Sequence, residues 1–396
     1  IIIGYLIIPL VISIPYFLSI YNISFLDCYF ESISGFTSTG FTIFDNIKHL
    51  EQSLIIWRST SQWIGGLYFL FSIILLIDIF DNNLRKSLTN FLSFNTSETF
   101  KQSFKVLIIY SLLTLLIFIL LKLINFRDFD AFNFSLTIIS SGGFLPVNDL
   151  DNLVNSDLKK IIFATLLLIS FFSIFLIYNL FFIKKNSLNF FSEDFYLSIY
   201  LFLLIIIFFI FFNNNNFPSL FLSITSSISN IGFYLNKSEE NLYFLYIILV
   251  VIGGSFFSTS SGLRLIKLVT LIKFSFNELL SHSKPKHIFL SKMSFMDKNI
   301  EQNDIYKYFL SLIIFIITLF ILTILLTLLD LNFSTAFKLS ILTIMNTANS
   351  SLYGLENLNF QSFDIYSKWV LMFFMIIGRV ELLSLLILLK KFLFKS

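Results

Sequence analysis

The chain has 396 residues, of which 56% are hydrophobic and 13% charged, and its formal net charge is +3. A soluble globular chain carries about 25% charged residues, so the composition excludes an ordinary soluble domain and favours a membrane protein. A single cysteine, Cys28, excludes an intrachain disulfide and a metal cluster built on thiolates. The sequence has no HExxH motif, nucleotide-binding P-loop or Ser-His-Asp spacing, which argues against an enzyme.

Long apolar runs recur along the whole chain, each near the ~20 residues that a helix needs to cross a bilayer. A transmembrane β-barrel would show short alternating segments instead. Lys and Arg are denser after the even-numbered runs, which predicts that these connections and the C-terminus are cytoplasmic, although the opposite loops also carry some positive residues. The runs predict eight spanning helices, at 4–19, 55–79, 106–124, 161–183, 196–212, 242–269, 308–329 and 370–389.

A shorter, semi-polar stretch lies between the two runs of each successive pair. Each stretch begins with a residue typical of a helix start and continues for about three turns of apolar, Ser and Thr residues. The first three end in Gly-Phe, at Gly40, Gly143 and Gly232, whereas the fourth has no glycine at that point. In chain order the stretches read "LDCYFESISGFTSTGFTIF", "FDAFNFSLTIISSGGFLPV", "FPSLFLSITSSISNIGFYL" and "NFSTAFKLSILTIMNTANSSLYG".

Irregular backbone at membrane depth is tolerated only where it is buried in protein or lines a water-filled cavity. Four such segments around one axis would form a ring of carbonyl oxygens, which can replace the hydration shell of a cation. The alternative of ordinary turn glycines is weakened by their recurrence in register. The sequence therefore predicts an all-α polytopic membrane protein with four parallel helix–pore-helix–helix repeats, pseudo-fourfold around a single pore as in K⁺ channels. The predicted selectivity-filter residues are Thr39, Gly40, Ser141, Gly142, Gly143, Ile231, Gly232, Ala348 and Asn349.

The same pattern divides the chain into units. The predicted repeats are residues 1–82, 100–190, 193–280 and 305–396. An intramembrane loop that lines a cavity or acts as a hinge is expected at 253–264 in the third repeat, because small hydroxylated residues and glycines interrupt an apolar run there. A basic cytoplasmic linker is expected at 281–304.

Three motifs resemble those of a known family. "FESISGFTSTGFTIF" is followed by "IIWRSTSQWIGGLYFL", "GGSFFSTSSGLRLIKL" begins at Gly253, and "GRVELLSLLILL" begins at Gly378. In this order, the motifs resemble the TrkH family, the membrane subunits of the Trk/Ktr potassium uptake systems in the superfamily that includes the plant HKT transporters. The family usually carries a further helix pair before the first repeat, and that pair is expected to be missing from this sequence.

The resemblance implies K⁺ uptake across the bacterial inner membrane, through backbone carbonyls of the filter residues, with K⁺ as the substrate ion and no covalently bound cofactor. It implies a homodimer and a cytosolic TrkA/KtrA-like nucleotide-binding regulatory subunit that gates the pore. The lysines of 273–298 are a candidate docking surface for that subunit, or they serve only to orient the chain in the membrane. No nucleic acid is expected as a partner.

The resemblance also implies a gate. In the family, the segment equivalent to "GGSFFSTSSG" lies beneath the filter and obstructs the pore, and the arginine equivalent to Arg379 projects into the pore and repels K⁺. The alternatives are close helix packing through the small residues and a purely structural arginine. Glu381 is interpreted as a packing group. The predicted gating residues are Gly253, Gly254, Ser255, Ser258, Thr259, Gly262 and Arg379.

The fourth filter segment departs from the family pattern. We anchor its filter position on Asn349, and an alternative alignment of the preceding helix moves it to Ala348. Because neither is glycine, we expect K⁺ uptake with reduced discrimination against Na⁺. The alternatives left open are a Na⁺-permeable or non-selective member of the superfamily and an ion-coupled secondary transporter.

Overall fold

The fold is helical and consists of four similar units. A computed structural model describes residues 1–21, 23–76, 99–148, 150–181, 192–211, 217–235, 242–283, 294–295, 298–299, 302–355 and 358–380. Each unit has a long outer helix, a short helix of 12 residues, an extended segment and an inner helix. This arrangement is the predicted fold class, and we call the units repeats 1 to 4.

The helices of repeats 1 and 2 are α1 (Ile2–Ser19), α2 (Phe25–Phe36), α3 (Gln52–Leu76), α4 (Thr99–Leu123), α5 (Asp128–Ile139), α6 (Asp157–Leu167) and α7 (Ile174–Phe181). Those of repeats 3 and 4 are α8 (Ser192–Phe211), α9 (Phe217–Ile228), α10 (Tyr243–Val251), α11 (Leu265–Ser283), α12 (Gln302–Leu328), α13 (Phe333–Ile344) and α14 (Ile365–Val380). The short strands β1 (Ile252–Gly253) and β2 (Leu263–Arg264) pair in parallel, and β3 (Ser294–Phe295) pairs antiparallel with β4 (Lys298–Asn299).

The outer helices face the lipid. In the described part of the chain, four helices are long and apolar enough to span a membrane, and each is the outer helix of its repeat: α1, α4, α8 and α12. At most 39% of the apolar stretch of each of these helices is buried inside the protein. Most of their side chains are therefore available to lipid. The inner helices lie behind them and carry buried polar residues such as Gln62 and Arg379.

Within the described residues, two of the eight predicted spanning helices are interrupted. The run 161–183 contains α6, a 3₁₀ turn at Leu168–Ser170 and α7. The run 242–269 contains α10, a polar loop and the start of α11, as the small residues at 253–262 indicate. Only the second interruption has a local sequence signal, because 161–183 contains no glycine or proline.

The repeats close into a ring. The inner helix of repeat 1, α3, packs against the short helix α5 of repeat 2. In the same way α6 packs against α9, α10 against α13, and α14 against α2. Each inner helix therefore supports the short helix of the next repeat, and the fourth repeat returns to the first.

Every short helix ends in the same turn. The second residue after each helix adopts a left-handed backbone with φ between 48° and 59°, and the N–H of the residue that follows it donates to the carbonyl five residues back. These four bonds, such as Thr39 N to Ser34 O at 2.9 Å and Thr347 N to Leu342 O at 2.9 Å, satisfy carbonyls at the helix end in the manner of a Schellman turn. The left-handed residues are Ser38, Ser141, Asn230 and Asn346.

Close backbone packing at Gly65 gives a test of this fold. A Cβ atom at Gly65 would overlap the carbonyl of Phe36, whereas one at Gly4 would meet only the hydroxyl end of the Tyr68 side chain. Overpacking costs about 1–3 kcal/mol, against roughly 1 kcal/mol gained from helix propensity. We expect Gly65→Ala to lower the melting temperature of the detergent-solubilised protein and Gly4→Ala to leave it unchanged or raise it. Equal shifts would mean that α2 and α3 are not in close backbone contact.

Candidate ion pathway

The common turn fixes the register of the four extended segments. Two residues after each left-handed residue come Gly40, Gly143, Gly232 and Ala348. Ala348 is therefore the structural equivalent of the three glycines, and our anchor on Asn349 is displaced by one residue. The Asn349 side chain is partly exposed, and its Oδ1 atom has no hydrogen-bond partner among the described residues.

These four residues meet at one place, which we call the central ring. A Cβ atom at Gly40 would lie 2.9 Å from both the Gly143 Cα and the Ala348 Cβ. A Cβ at Gly143 would overlap the Ala348 methyl group, and a Cβ at Gly232 would lie 2.6 Å from the Ala348 carbonyl oxygen. Glycine is required at three positions because there is no space for a side chain, and the methyl group of Ala348 occupies the space that remains.

The ring has two kinds of position. Gly40 and Gly232, in repeats 1 and 3, have φ of 83° and 82°, a backbone conformation that side chains rarely adopt. Gly143 and Ala348, in repeats 2 and 4, are not among the residues with positive φ. The alanine therefore lies at one of the two positions where the backbone does not demand glycine, which explains how the fourth turn keeps its shape.

Hydrogen bonds link neighbouring repeats beside the ring. The Ser141 hydroxyl donates to the carbonyl of Ser229, and Asn230 Nδ2 donates to Thr347 Oγ1 at 3.2 Å. Asn346 Nδ2 donates to Thr39 Oγ1 at 2.9 Å. Three of the four left-handed residues thus use their side chains to hold the next repeat.

A buried ion pair supports the segment that follows the ring in repeat 1. Glu31 and Arg58 are 0% and 1% exposed, and Arg58 Nε lies 2.9 Å from Glu31 Oε1. The other carboxylate oxygen accepts the N–H of Ile43 at 2.9 Å, and Thr42 Oγ1 donates to Oε1 at 3.1 Å. The guanidinium also lies 4.2 Å from the ring centroid of Phe144 in repeat 2. The charges of Glu31 and Arg58 within apolar stretches were the available signal, but sequence reasoning gave them no role.

Arg379 lies at the helix-end side of the ring, where it contacts the other three repeats. It is 1% exposed. Its guanidinium donates to Ser38 Oγ at 3.4 Å, to the Ser140 carbonyl at 3.4 Å and to Ser261 Oγ at 3.0 Å. It also stacks on Phe69, 4.3 Å from the ring centroid. A fixed positive charge is therefore held beside the turns that lead into the ring.

The interruption of repeat 3 forms a polar loop at 254–262, which we call the intramembrane loop. Its hydroxyls reach the ends of the short helices: Thr259 Oγ1 donates to the Ile139 carbonyl at 2.8 Å, and Ser261 Oγ lies 3.5 Å from Asn346 Oδ1. Gly253 and Gly262 pack against each other at the two ends of the loop, and Gly262 has φ of 92°. The loop therefore lies against the same turns as Arg379.

The structure brings most of the sequence-predicted site residues together. Eight of the nine filter candidates lie in the four turns or in the central ring, and Asn349 follows it. Six of the seven gating candidates lie in the intramembrane loop or next to it, at Gly253, Gly254, Ser255, Ser258, Thr259 and Gly262. The seventh, Arg379, contacts the loop through Ser261. Glu381 lies outside the described residues, as do Lys284, Lys286 and Lys292 of the predicted docking surface.

Comparisons with known proteins agree with this geometry. Residues 233–395 match the TrkH family model, described as "Cation transport protein". An uncharacterized cation transporter of Methanocaldococcus jannaschii is 28% identical over 74% of this chain, which spans 60% of that protein. The Trk system potassium uptake protein TrkH of Salmonella typhimurium is 26% identical over 93% of this chain and 79% of its own length. The crystal structure of the potassium transporter TrkH from Vibrio parahaemolyticus superposes with a TM-score of 0.82 at 21% identity, covering 98% of this chain and 83% of that one.

The fold and the central ring define a helical membrane protein in which four re-entrant segments meet on one axis. Residues 233–395 of the chain resemble TrkH-type membrane subunits, and the relatives are named as cation or potassium transporters.

Removal of one member of the buried ion pair should lower the stability of the folded protein. Arg58→Met would leave the Glu31 carboxylate buried without its partner, and such losses cost about 3–5 kcal/mol. We expect Arg58→Met and Glu31→Gln each to destabilise the solubilised protein, and the double variant to lose less than the sum of the two. The measurement is thermal unfolding of the purified variants.

The control is the exposed pair of Lys160 and Asp157, which is 3.6 Å apart with Asp157 72% exposed. Substitution of Lys160 by Met should change stability by about 1 kcal/mol or less. Strict additivity of the Glu31 and Arg58 substitutions would contradict a direct interaction between them.

Proposed function

We propose that this chain carries K⁺ into the cell across the bacterial inner membrane, through a gated pore whose selectivity filter is the central ring. The observation that carries the proposal is the convergence of four turns of the same type on Gly40, Gly143, Gly232 and Ala348. Backbone carbonyls arranged around one axis can replace the hydration shell of a cation. The C-terminal ends of the four short helices lie immediately before the ring, and their partial negative charge favours a cation there.

The names of the relatives support K⁺ as the ion. The Salmonella relative is a Trk system potassium uptake protein, and the superposed Vibrio structure is that of a potassium transporter. In this proposal the filter residues hold K⁺ through Thr39, Ser141, Gly142, Ile231 and the ring residues. K⁺ is the transported substrate and not a resident cofactor.

Arg379 and the intramembrane loop form the gate in this proposal. Both lie against the helix-end turns of the ring, and Arg379 donates to Ser261 of the loop at 3.0 Å. A guanidinium beside the ion path repels K⁺, so conduction requires the loop and the arginine to move. Gly262 is the hinge in this proposal, because its φ of 92° is a backbone conformation that side chains rarely adopt.

Control by a cytosolic TrkA/KtrA-like nucleotide-binding subunit, and assembly as a homodimer, are also part of the proposal. The similarity of the chain to named Trk system proteins supports both parts of the proposal. Lys273 on α11 belongs to the proposed docking surface for the regulatory subunit. Lysines on the cytoplasmic side would attract an acidic partner as well as anionic lipid headgroups.

A second candidate is a member of the same superfamily that also passes Na⁺. Ala348 favours it specifically, since one of the four ring positions carries a methyl group where the other three have none. We propose that this methyl group weakens the discrimination between K⁺ and Na⁺ by preventing the four segments from surrounding the ion equally.

Substitution of Ala348 tests both the register and the selectivity. We expect Ala348→Gly to raise the K⁺/Na⁺ uptake ratio in proteoliposomes by about tenfold, the order of discrimination that one methyl group in a fitted site provides. Asn349→Gly is the matched control and should leave the ratio unchanged, because Asn349 lies beyond the ring. If Asn349→Gly alone raised the ratio, the ring register at Ala348 would be wrong.

Removal of the Arg379 charge tests the barrier. Two unit charges 4 Å apart near a protein surface repel by about 4 kcal/mol, so we expect Arg379→Ala to raise K⁺ flux by tenfold or more. Arg379→Lys keeps the positive charge and is the control, with flux close to that of the wild type. An Arg379→Ala protein that reaches the membrane in normal amount and carries no more K⁺ than the wild type would rule out the barrier.

A further inference from the structure

Two acidic residues at the start of α8 bind both interruptions of the inner helices. Glu193 and Asp194 lie in the first turn of this outer helix of repeat 3. Neither belongs to the central ring or to the intramembrane loop. Charged residues inside a membrane protein are costly, and they are usually retained for a function.

Glu193 holds the intramembrane loop. Its Oε1 atom accepts the backbone N–H of Phe256 at 3.0 Å, and its Oε2 atom lies 3.5 Å from the Ser255 hydroxyl. Both of these residues belong to the loop. The carboxylate therefore satisfies a loop N–H that has left the regular helix pattern.

Asp194 holds the other interruption. Its Oδ1 atom accepts the N–H of Ser173 at 3.0 Å, at the point where the inner helix of repeat 2 resumes as α7. Asp194 is 3% exposed. Two successive residues of one helix end thus bind two broken helices from different repeats.

The two interruptions are also bonded directly to each other. Ser255 N donates to the Phe171 carbonyl at 3.0 Å, Ser260 N donates to the Ser170 carbonyl at 3.1 Å, and Ile174 N donates to the Phe257 carbonyl at 3.1 Å. The loop can therefore leave its place only if these bonds break or if the repeat 2 interruption moves with it.

Arg264 of β2, two residues after the end of the loop, binds several loop residues at once. Its Nη1 atom donates to the carbonyls of Ser255 and Ser260 at 2.8 and 3.0 Å, and to Ser258 Oγ at 3.1 Å. These bonds keep the loop compact, whereas Glu193 ties it to α8. The loop can thus move as one body once its external bonds are released.

We propose that Glu193 and Asp194 are positioning residues that latch the intramembrane loop in its obstructing place and couple it to the interrupted inner helix of repeat 2. The inference rests on the proposed function, because it assumes that the loop is the gate. A displacement of the start of α8 is transmitted to both interruptions at once. Loss of the Glu193 carboxylate frees the Phe256 N–H and lowers the cost of moving the loop.

The test is single-channel recording from the purified full-length chain in planar bilayers with K⁺ on both sides. We expect Glu193→Ala to raise the open probability about tenfold, which is the effect of one lost hydrogen bond to a charged group. The conductance of a single opening and the K⁺/Na⁺ permeability ratio should be unchanged, because the central ring is not touched. Asp194→Ala should act in the same direction.

Two further variants keep the test decisive. Glu193→Gln retains an acceptor for Phe256 N, so its open probability should lie between those of the wild type and Glu193→Ala, and it serves where the alanine variant does not fold. Asp157→Ala removes an acidic residue from the first turn of α6, where it is exposed, and should change nothing.

The possible outcomes distinguish failure of the proposed latch from failure of the proposed pore function. An unchanged or lowered open probability in both Glu193 variants would overturn the latch while leaving the pore intact. A changed single-opening conductance would overturn it as well, because the two residues would then act on the ring. A wild-type chain that passes no K⁺, even with its regulatory subunit, would overturn the proposed pore itself.

Discussion

The structure depends on one constraint, the need to satisfy backbone N–H and C=O groups at membrane depth. An unpaired backbone group costs several kcal/mol in hydrocarbon, so a chain can leave the helix there only if other protein groups replace the lost bonds. Each short helix meets this need with a left-handed residue and an N–H returned to the carbonyl five residues back. The same turn, used four times, leads the four extended segments toward one axis.

The four repeats share this turn but differ in what they add to it. Repeat 1 adds the buried Glu31–Arg58 pair behind the ring, and repeat 2 adds an interruption of its inner helix. Repeat 3 adds the intramembrane loop and the acidic start of α8, and repeat 4 adds Arg379. The four repeats therefore share one fold, but the charged residues and helix interruptions they carry differ from repeat to repeat. Arg379 and Asp194 are held by hydrogen bonds to other repeats. Glu31 and Glu193 are held by groups of their own repeats.

The ring itself departs from fourfold symmetry. Gly40 and Gly232 adopt a left-handed backbone, whereas the positions of Gly143 and Ala348 do not require it. An alanine in repeat 1 or 3 would be strained in its backbone as well as crowded, whereas in repeat 4 it is only crowded. The backbone constraint therefore explains why the fourth repeat tolerates a residue that departs from the glycine pattern.

The repeat pattern, the short helices and the recurrence of Gly40, Gly143 and Gly232 could be predicted from the sequence, because apolar runs, capping residues and recurrent glycines are local signals. The position of the fourth ring residue at Ala348 and the break in 161–183 became visible only in the folded structure. That run has no glycine or proline, and its break is stabilised by bonds to residues 255–260, some eighty residues further along the chain. The binding partners of Glu31 and Glu193 could not be predicted either, because the sequence position of a carboxylate does not indicate which distant N–H or guanidinium group will bind it. Contacts between repeats depend on how distant segments pack together, and the sequence of one segment alone does not determine that packing.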